Sequence, residues 1–224
     1  MFSITCQALL FDMDGTLIDS SVRIQRLWQA WSRRHDLDLE AILRVMAGRR
    51  AAETIRLVAP HLDVGAEVQA LEADEMADMD GVTVYPGVAG LLGQLPLDRW
   101  AIVTSGARHV AEARLRHVHL PVPRVFITAG DVREGKPDPQ GYILAAAQLQ
   151  VAPAACLVVE DAPAGVRAGK AAGMPVLAVA TTHVPTALTE ADHVITGLAA
   201  LEVTVAGQKL RVRPRDQVSA CGRG

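Results

Sequence analysis

The 224-residue sequence has few cysteines, few aromatic residues and no long apolar run. Its three cysteines, Cys6, Cys156 and Cys221, are scattered and form no C-x-x-C pair, which favours reduced thiols over a disulfide framework. No apolar run approaches the roughly 18 residues that are needed to span a bilayer. The first residues carry no basic run, so we expect no signal peptide. These absences predict a soluble, cytoplasmic protein.

The sequence also lacks a large excess of charge of either sign. Its formal net charge is −3, which gives no reason to expect nucleic acid or a membrane as a partner. Hydrophobic residues make up 50% of the chain and charged residues 21%, as is typical of globular proteins. The length allows one sizeable domain, or a core with a small insert.

Short apolar runs alternate with Ala- and Leu-rich stretches of helical spacing. The runs predict strands that are buried on both faces, at residues 8–11, 100–103, 125–128, 156–159 and 176–179. Helices are predicted over residues 107–118 and 141–149. This alternation predicts an α/β fold with a parallel sheet, in which ligands bind at the carboxyl ends of the strands.

Residues 19–83 interrupt this alternation. They contain no convincing buried strand, but apolar residues recur at helical spacing. The apolar stripes are Ile24, Leu27, Trp28 and Trp31; Leu39, Ile42, Leu43 and Met46; and Val68, Leu71 and Met79. We therefore predict a small all-helical cap inserted after the first strand.

The other domain boundaries follow from these elements. Residues 1–18 contain the first strand and the loop after it, and residues 84–201 form the rest of the core. Residues 202–224 are predicted to form a C-terminal hairpin and a loose tail, which begins after Pro214.

Two aspartates follow the first predicted strand directly, in Asp12-Met13-Asp14-Gly15-Thr16. Alternate residues of a strand share a face, so Asp12 and Asp14 are expected to point the same way. Two carboxylates at the open end of a parallel strand can bind a hard cation, and one can act as a nucleophile while the other transfers protons. The plainer interpretation is a turn with a helix N-cap.

Other polar residues also follow predicted strands or lie in nearby loops. Thr104-Ser105-Gly106 offers hydroxyl groups and backbone amides for an anion, although an ordinary N-cap has the same composition. Glu160 and Asp161 end another strand. Lys136 precedes Pro137, which favours an extended backbone, although a lone lysine near prolines is also typical of a surface loop. Taken as a set, these residues supply a nucleophile, cation ligands and anion donors.

The order and content of these four segments resemble the haloacid dehalogenase superfamily of aspartyl-nucleophile phosphotransferases. The resemblance covers nearly the whole chain, including the helical cap, and implies a Rossmann-like core. The stretches IVTSGARHVAEAR and VVEDAPAGVRAGKAAG are most similar to bacterial sugar, hexitol and glycerol phosphate phosphatases of the β-phosphoglucomutase-like subfamily. This resemblance implies a Mg²⁺-dependent phosphatase that acts on a small phosphorylated metabolite.

The same resemblance assigns roles to individual residues. Asp12 would attack phosphorus, and Asp14 would protonate the leaving alcohol and then activate water. Mg²⁺ would be held by the Asp12 carboxylate, the Asp14 backbone carbonyl and Asp161, with Glu160 nearby through water. The phosphoryl oxygens would be held by Thr104, Ser105 and Lys136.

The cap is expected to select the alcohol of the substrate. Arg49 and Arg50 follow Gly48 between two predicted cap helices, where a loop can reach the core and contact sugar hydroxyls or the phosphate. The alternative is a solvated loop without a specific role. Trp28 and Trp31 are predicted to belong to the cap core rather than to form a platform for the substrate.

Three alternative functions stay open. A phosphosugar mutase shares the core motifs, but such mutases typically have D-x-D-G-V where Thr16 stands here, and they carry a histidine at the position of Ile24. A hydrolytic dehalogenase does not keep the second aspartate, which is present here as Asp14. A catalytically silent binding protein would be favoured by the loss of a core residue such as Lys136, and none is lost. For assembly, we expect a monomer or a weak homodimer.

Overall fold

Strands and helices alternate along most of the protein. The structure is a computed structural model and describes residues 2–215. Over these residues, no helix combines the length and the apolar character that are needed to cross a membrane. The strands are β1 (Ile4–Cys6), β2 (Ala8–Phe11), β3 (Ile18–Asp19), β4 (Thr83–Val84), β5 (Trp100–Val103), β6 (Val125–Ile127), β7 (Cys156–Glu160), β8 (Val176–Val179), β9 (His193–Ile195), β10 (Leu201–Ala206) and β11 (Lys209–Pro214). The α-helices are α1 (Ser21–Arg34), α2 (Leu39–Met46), α3 (Ala51–Val58), α4 (Val64–Ala77), α5 (Val88–Leu92), α6 (Arg108–His117), α7 (Gln140–Leu149) and α8 (Pro163–Ala171).

A six-stranded parallel sheet with the strand order β6-β5-β2-β7-β8-β9 forms the centre of the core. Its strand β2 is buried on both faces, because Leu9 and Phe11 enter one apolar cluster while Ala8 and Leu10 enter the other. The predicted α/β fold with a parallel sheet is therefore confirmed. The sequence did not predict β9, whose three residues are partly exposed and form no continuous apolar run.

The sheet brings the predicted site residues to one edge. β2 lies between β5 and β7, and Phe11 is paired with Ile102 on one side and Val159 on the other. Asp12 therefore follows β2 at the level where both neighbouring strands end. Residues that follow these three strands meet at this edge, as expected for ligand sites of parallel sheets.

Four helices, α1 to α4, form the cap. β3 and β4 pair antiparallel, with Ile18 opposite Val84, so the chain leaves and re-enters the core through adjacent strands. Met79, the last residue of a predicted apolar stripe, lies beyond α4, because the backbone is already extended at Asp78. The cap has its own apolar core, whose buried members are Leu27, Trp28, Trp31, Ile42, Ile55, Ala59 and Leu71. Both tryptophans thus belong to the cap core, as predicted, although Trp28 also lines the cavity between cap and core.

The C-terminal hairpin, β10 and β11, forms a second sheet together with β1. β10 and β11 pair antiparallel around Gly207, which has a φ of +58°. β1 adds to the outer edge of β11, with Ile4 opposite Val212. The hairpin was expected from the sequence, whereas its pairing with β1 was not. The predicted loose tail lies almost wholly outside the described residues, which end at position 215.

Candidate active site

Three buried carboxylates lie together where β2 and β7 end. Asp12 follows β2, Glu160 is the last residue of β7, and Asp161 comes next. One carboxylate oxygen of each residue lies within 4.8 Å of the corresponding oxygens of the other two. Because all three side chains are buried, water screens their mutual repulsion poorly. A cluster of this kind needs cationic partners and can hold a metal ion.

Lys136, from the loop between β6 and α7, supplies a cation within the cluster. Its ammonium group donates to the Asp12 carboxylate, to Glu160 Oε1 at 2.6 Å and to the carbonyl oxygen of Val103 at 3.0 Å. These three acceptors use the three donors of a lysine. One lysine thus faces three acids, and this excess of acidic oxygens suits a divalent cation.

Glu160 is bonded within the protein through both of its carboxylate oxygens. Oε1 also accepts from the Tyr142 hydroxyl at 2.8 Å. Oε2 accepts from the backbone N–H groups of Asp161 and Ala162, at 3.0 and 3.2 Å. Glu160 is therefore placed to orient Lys136, and its oxygens are less available to a cation than those of Asp161.

The electrostatics of the cluster favour the binding of a proton or a cation. Burial raises the pKa of Asp161 to about 7, and the Glu160 carboxylate adds to the effect. Burial also raises the pKa of Asp12, against the opposing effect of the Lys136 ammonium. For Lys136, burial acts to lower the pKa, but the charges of Asp12 and Glu160 outweigh it and the pKa is raised. Lys136 therefore stays charged at neutral pH.

Two glycines leave room for the carboxylates. Gly15 has a φ of +92°, and a Cβ atom there would overlap the Asp161 carboxylate and lie 2.9 Å from the Thr182 methyl group. A Cβ atom on Gly165 would overlap the Glu160 carboxylate. At both positions the backbone approaches an acid more closely than a side chain would allow.

The second aspartate of the D-x-D pair has different partners. Asp14 lies outside the three-acid cluster, and its Oδ1 atom accepts from the Ser20 hydroxyl at 2.6 Å and from the Arg114 guanidinium at 2.7 Å. Its side chain is 20% exposed, whereas that of Asp12 is 9% exposed. The two aspartates thus occupy distinct environments, which suits a division of chemical roles.

The Thr104-Ser105 segment follows β5 at the same edge of the sheet. Thr104 is buried, and its Oγ1 atom accepts from the backbone N–H of Gly106 at 3.1 Å. The Ser105 hydroxyl donates to the carbonyl oxygen of Gly48 in the cap, at 2.8 Å. Of the three predicted phosphate ligands, Thr104, Ser105 and Lys136, Ser105 therefore has its hydroxyl engaged with the cap loop.

A cavity of about 440 Å³ lies between the cap and the core. Asp12, Asp14, Asp161 and Thr104 line it from the core. From the cap it is lined by apolar side chains, namely Ile24, Leu27, Trp28, Leu43, Met46 and Leu71, and by polar ones, namely Ser21, Gln25, Arg49, Glu72 and Glu75. Its volume and mixed lining suit a small polar molecule.

The two predicted cap arginines are placed differently. Arg49 lines the cavity, whereas Arg50 does not. Arg50 pairs with Glu53, donates to the carbonyl oxygen of Val132 at 3.4 Å, and so ties the start of α3 to the core. Glu53 also accepts from the backbone N–H of Gly135, next to Lys136, at 3.0 Å. Arg49 is thus the candidate for substrate contact, and Arg50 holds the cap loop on the core.

Sequence reasoning missed several residues that contact the site. Thr182, whose hydroxyl donates to Asp161, follows β8, so the rule that identified the other strand-end residues also applies to it. Tyr142 lies within the predicted second core helix and has no distinguishing pattern. Arg114 lies in the last turn of α6 together with Arg116 and His117, and nothing in the sequence distinguishes it from these basic residues.

A family model described as haloacid dehalogenase-like hydrolase matches residues 6–173. Hexitol phosphatase A of Escherichia coli (strain K12) is 43% identical over 204 residues, which cover 89% of this chain and 94% of that protein. Glycerol-1-phosphate phosphohydrolase 2 of Saccharomyces cerevisiae is 35% identical over 192 residues, covering 80% and 77%. The crystal structure of a β-phosphoglucomutase from Clostridium difficile superposes with a TM-score of 0.78 over 88% of this chain and 93% of that chain, at 20% identity, which supports the fold alone.

Proposed function

This chain belongs to the haloacid dehalogenase-like hydrolase family and is a phosphoric monoester hydrolase, and we propose that it cleaves sugar, hexitol or glycerol phosphates through a phosphoryl group carried on Asp12. One observation carries the proposal. Asp12 is buried at the end of β2, bonded to Lys136, beside Asp161 and at the wall of a cavity of about 440 Å³.

The proposed reaction has two steps. In the first, a carboxylate oxygen of Asp12 attacks phosphorus, the bond from phosphorus to the ester oxygen breaks, and Asp14 gives a proton to the leaving alcohol. In the second, Asp14 takes a proton from a water molecule, which attacks the same phosphorus and releases inorganic phosphate and free Asp12. The different surroundings of Asp12 and Asp14 support this division of roles.

Charge compensation is the main requirement of the first step, because a phosphate dianion approaches a carboxylate. Lys136 does not itself line the cavity, but its ammonium group lies against Asp12, so we propose that its charge stabilises the phosphoryl group carried on Asp12. Thr104 lines the cavity, and we propose that its hydroxyl contacts a phosphoryl oxygen. The Ser105 hydroxyl donates to the carbonyl oxygen of Gly48, so we propose that Ser105 holds the cap loop. It would do so in addition to its predicted role as a ligand of the phosphate.

The buried acids fit a magnesium ion. The three carboxylates carry more negative charge than the single ammonium group of Lys136 offsets. Their oxygen atoms are the kind of ligand that Mg²⁺ prefers. Asp12, Asp161 and the backbone carbonyl of Asp14 would hold the ion, and Glu160 would lie nearby and act through a water molecule. When bound, the ion would offset negative charge on the phosphoryl group.

Hydrolysis is favoured over mutase chemistry by the cap side of the cavity. Ile24, at the position where mutases of this kind carry a histidine, lines the cavity and cannot relay a proton. Water, rather than a second sugar hydroxyl, is then the acceptor that we propose for the phosphoryl group.

We predict that Asp12→Asn abolishes turnover and leaves the fold intact, because an amide is nearly isosteric but a poor nucleophile. The kcat for release of phosphate from a hexitol phosphate should fall below about one per cent of wild type, or about 2.7 kcal/mol of barrier. Mass spectrometry should exclude deamidation of the new asparagine. The control is Asp80→Asn, which makes the same change on the exposed face of the cap and should leave kcat unchanged. Turnover above that level would contradict the covalent mechanism.

Removal of divalent cations should abolish activity and lower the melting temperature. Mg²⁺ should restore both, because a ligand that binds only the folded state stabilises it. Thermal melts with excess chelator and with added Mg²⁺ measure the effect, and Asp161→Asn should lose most of the Mg²⁺-dependent shift. Full activity in excess chelator would show that the reaction needs no cation.

Arg49→Ala should change the ratio of kcat/KM between hexitol and glycerol phosphates more than it changes hydrolysis of 4-nitrophenyl phosphate, because Arg49 lines the cavity. Arg50→Ala is the matched variant. It should lower the free energy of unfolding by about 1.5–3 kcal/mol through loss of the Glu53 pair, with less effect on that ratio. Equal losses on all substrates for Arg49→Ala would indicate a phosphate contact instead.

Incubation with β-glucose 1-phosphate and a trace of the 1,6-bisphosphate should yield inorganic phosphate as the main product. Phosphorus NMR follows both possible products in one sample. Conversion to glucose 6-phosphate much faster than phosphate release would contradict the proposed hydrolysis and show that the enzyme is a mutase.

A further inference from the structure

Arg114 joins the core to the cap through two carboxylates. It lies on α6 and its side chain is 4% exposed. Nη1 lies 2.7 Å from Asp14 Oδ1 in the core, and Nη2 lies 3.1 Å from Glu75 Oε2 on the cap helix α4. One buried cation thus contacts both the aspartate that is proposed to transfer protons and the cap.

The contacts of Asp14 are concentrated on one oxygen. Oδ1 accepts from both Ser20 and Arg114. Among residues 2–215, none donates a hydrogen bond to Oδ2, and Asp14 lines the cavity. A carboxylate held in this way keeps a fixed orientation and retains one oxygen for proton exchange with a ligand.

Other contacts between the cap and the core end on groups that do not transfer protons in the proposed reaction. The Ser105 hydroxyl bonds a carbonyl oxygen of the cap, and Glu72 of α4 lies 3.5 Å from the exposed ring of His109. These contacts hold the cap, but they do not orient a proton-transfer group. The contact from Glu75 through Arg114 does so, because it ends on Asp14.

We propose that Arg114 is a positioning residue that, held by Glu75 of the docked cap, fixes Asp14 so that its second oxygen serves the leaving alcohol. The inference rests on the proposed function. In this arrangement, proton transfer by Asp14 depends on the cap being seated on the core, so chemistry is efficient only when the cavity is closed over a substrate.

The basicity of the leaving group makes the proposal testable. Sugar and polyol alkoxides are strong bases and need a proton as the bond to phosphorus breaks, whereas 4-nitrophenolate is a weak base and leaves without one. A variant that misplaces Asp14 should therefore lose more activity on alkyl phosphates than on aryl phosphates. A variant with a generally damaged site should lose activity equally on both.

The experiment measures kcat/KM for a series of phosphate monoesters, from glycerol phosphate to 4-nitrophenyl phosphate, in the wild type and in Arg114→Met. This parameter covers the steps through phosphoryl transfer to Asp12 and excludes hydrolysis of the intermediate. We expect a loss of roughly 10²-fold on alkyl phosphates and a much smaller loss on 4-nitrophenyl phosphate. Arg116→Met, which alters an exposed arginine on the same helix, should change neither.

The cap side of the contact is tested by Glu75→Gln. Because Glu75 acts through Arg114, the double variant should lose no more on alkyl phosphates than Arg114→Met alone. Equal losses across the series, or losses that multiply in the double variant, would overturn the proposal. If Arg114→Met does not fold, Arg114→Lys and Glu75→Gln are compared on the same series, with the same criterion.

The outcomes also separate this inference from the proposed function. A wild-type protein without phosphatase activity on any ester would refute the function. An active wild type, with an unchanged dependence on the leaving group in the Arg114 variants, would refute only the role of Arg114.

Discussion

The position of the Lys136 ammonium group is the constraint on which the rest of the site depends. A buried ammonium ion is stable only where acceptors surround it. Its acceptors come from the ends of three adjacent strands: the carbonyl oxygen of Val103 ends β5, Asp12 follows β2, and Glu160 ends β7. The lysine therefore ties these strand ends together and places a positive charge beside the proposed nucleophile.

Ion pairs also make several of the contacts between cap and core, and their charged groups are buried or largely shielded from solvent. Arg50 with Glu53 holds the loop that carries Lys136, and Arg114 with Glu75 reaches the D-x-D segment. Polar contacts of this kind are typical of interfaces between domains that move relative to one another. They fix the geometry of the cap on the core when they are formed.

Sequence reasoning identified the residues whose positions follow from strand ends. Apolar runs predicted five strands of the central sheet, and parallel strands necessarily bring Asp12 and Asp161 to one edge. It could not separate Arg49 from Arg50, because the direction of each side chain depends on how the cap loop meets the core. Arg114 was not identifiable either, since a helical arginine gains a specific role only through partners distant in sequence.

The pairing of β1 with β11 has a consequence for the synthesis of the protein. Ile4 pairs with Val212, and among the described strands β11 is the sole neighbour of β1. During synthesis, β1 emerges from the ribosome before β11, and every strand of the central sheet is made between the two. The sheet that contains β1 and β11 must therefore form after the strands of the central sheet have been made, through a contact of very large sequence separation, a kind of contact that slows folding. A truncated nascent chain would leave β1 without a partner.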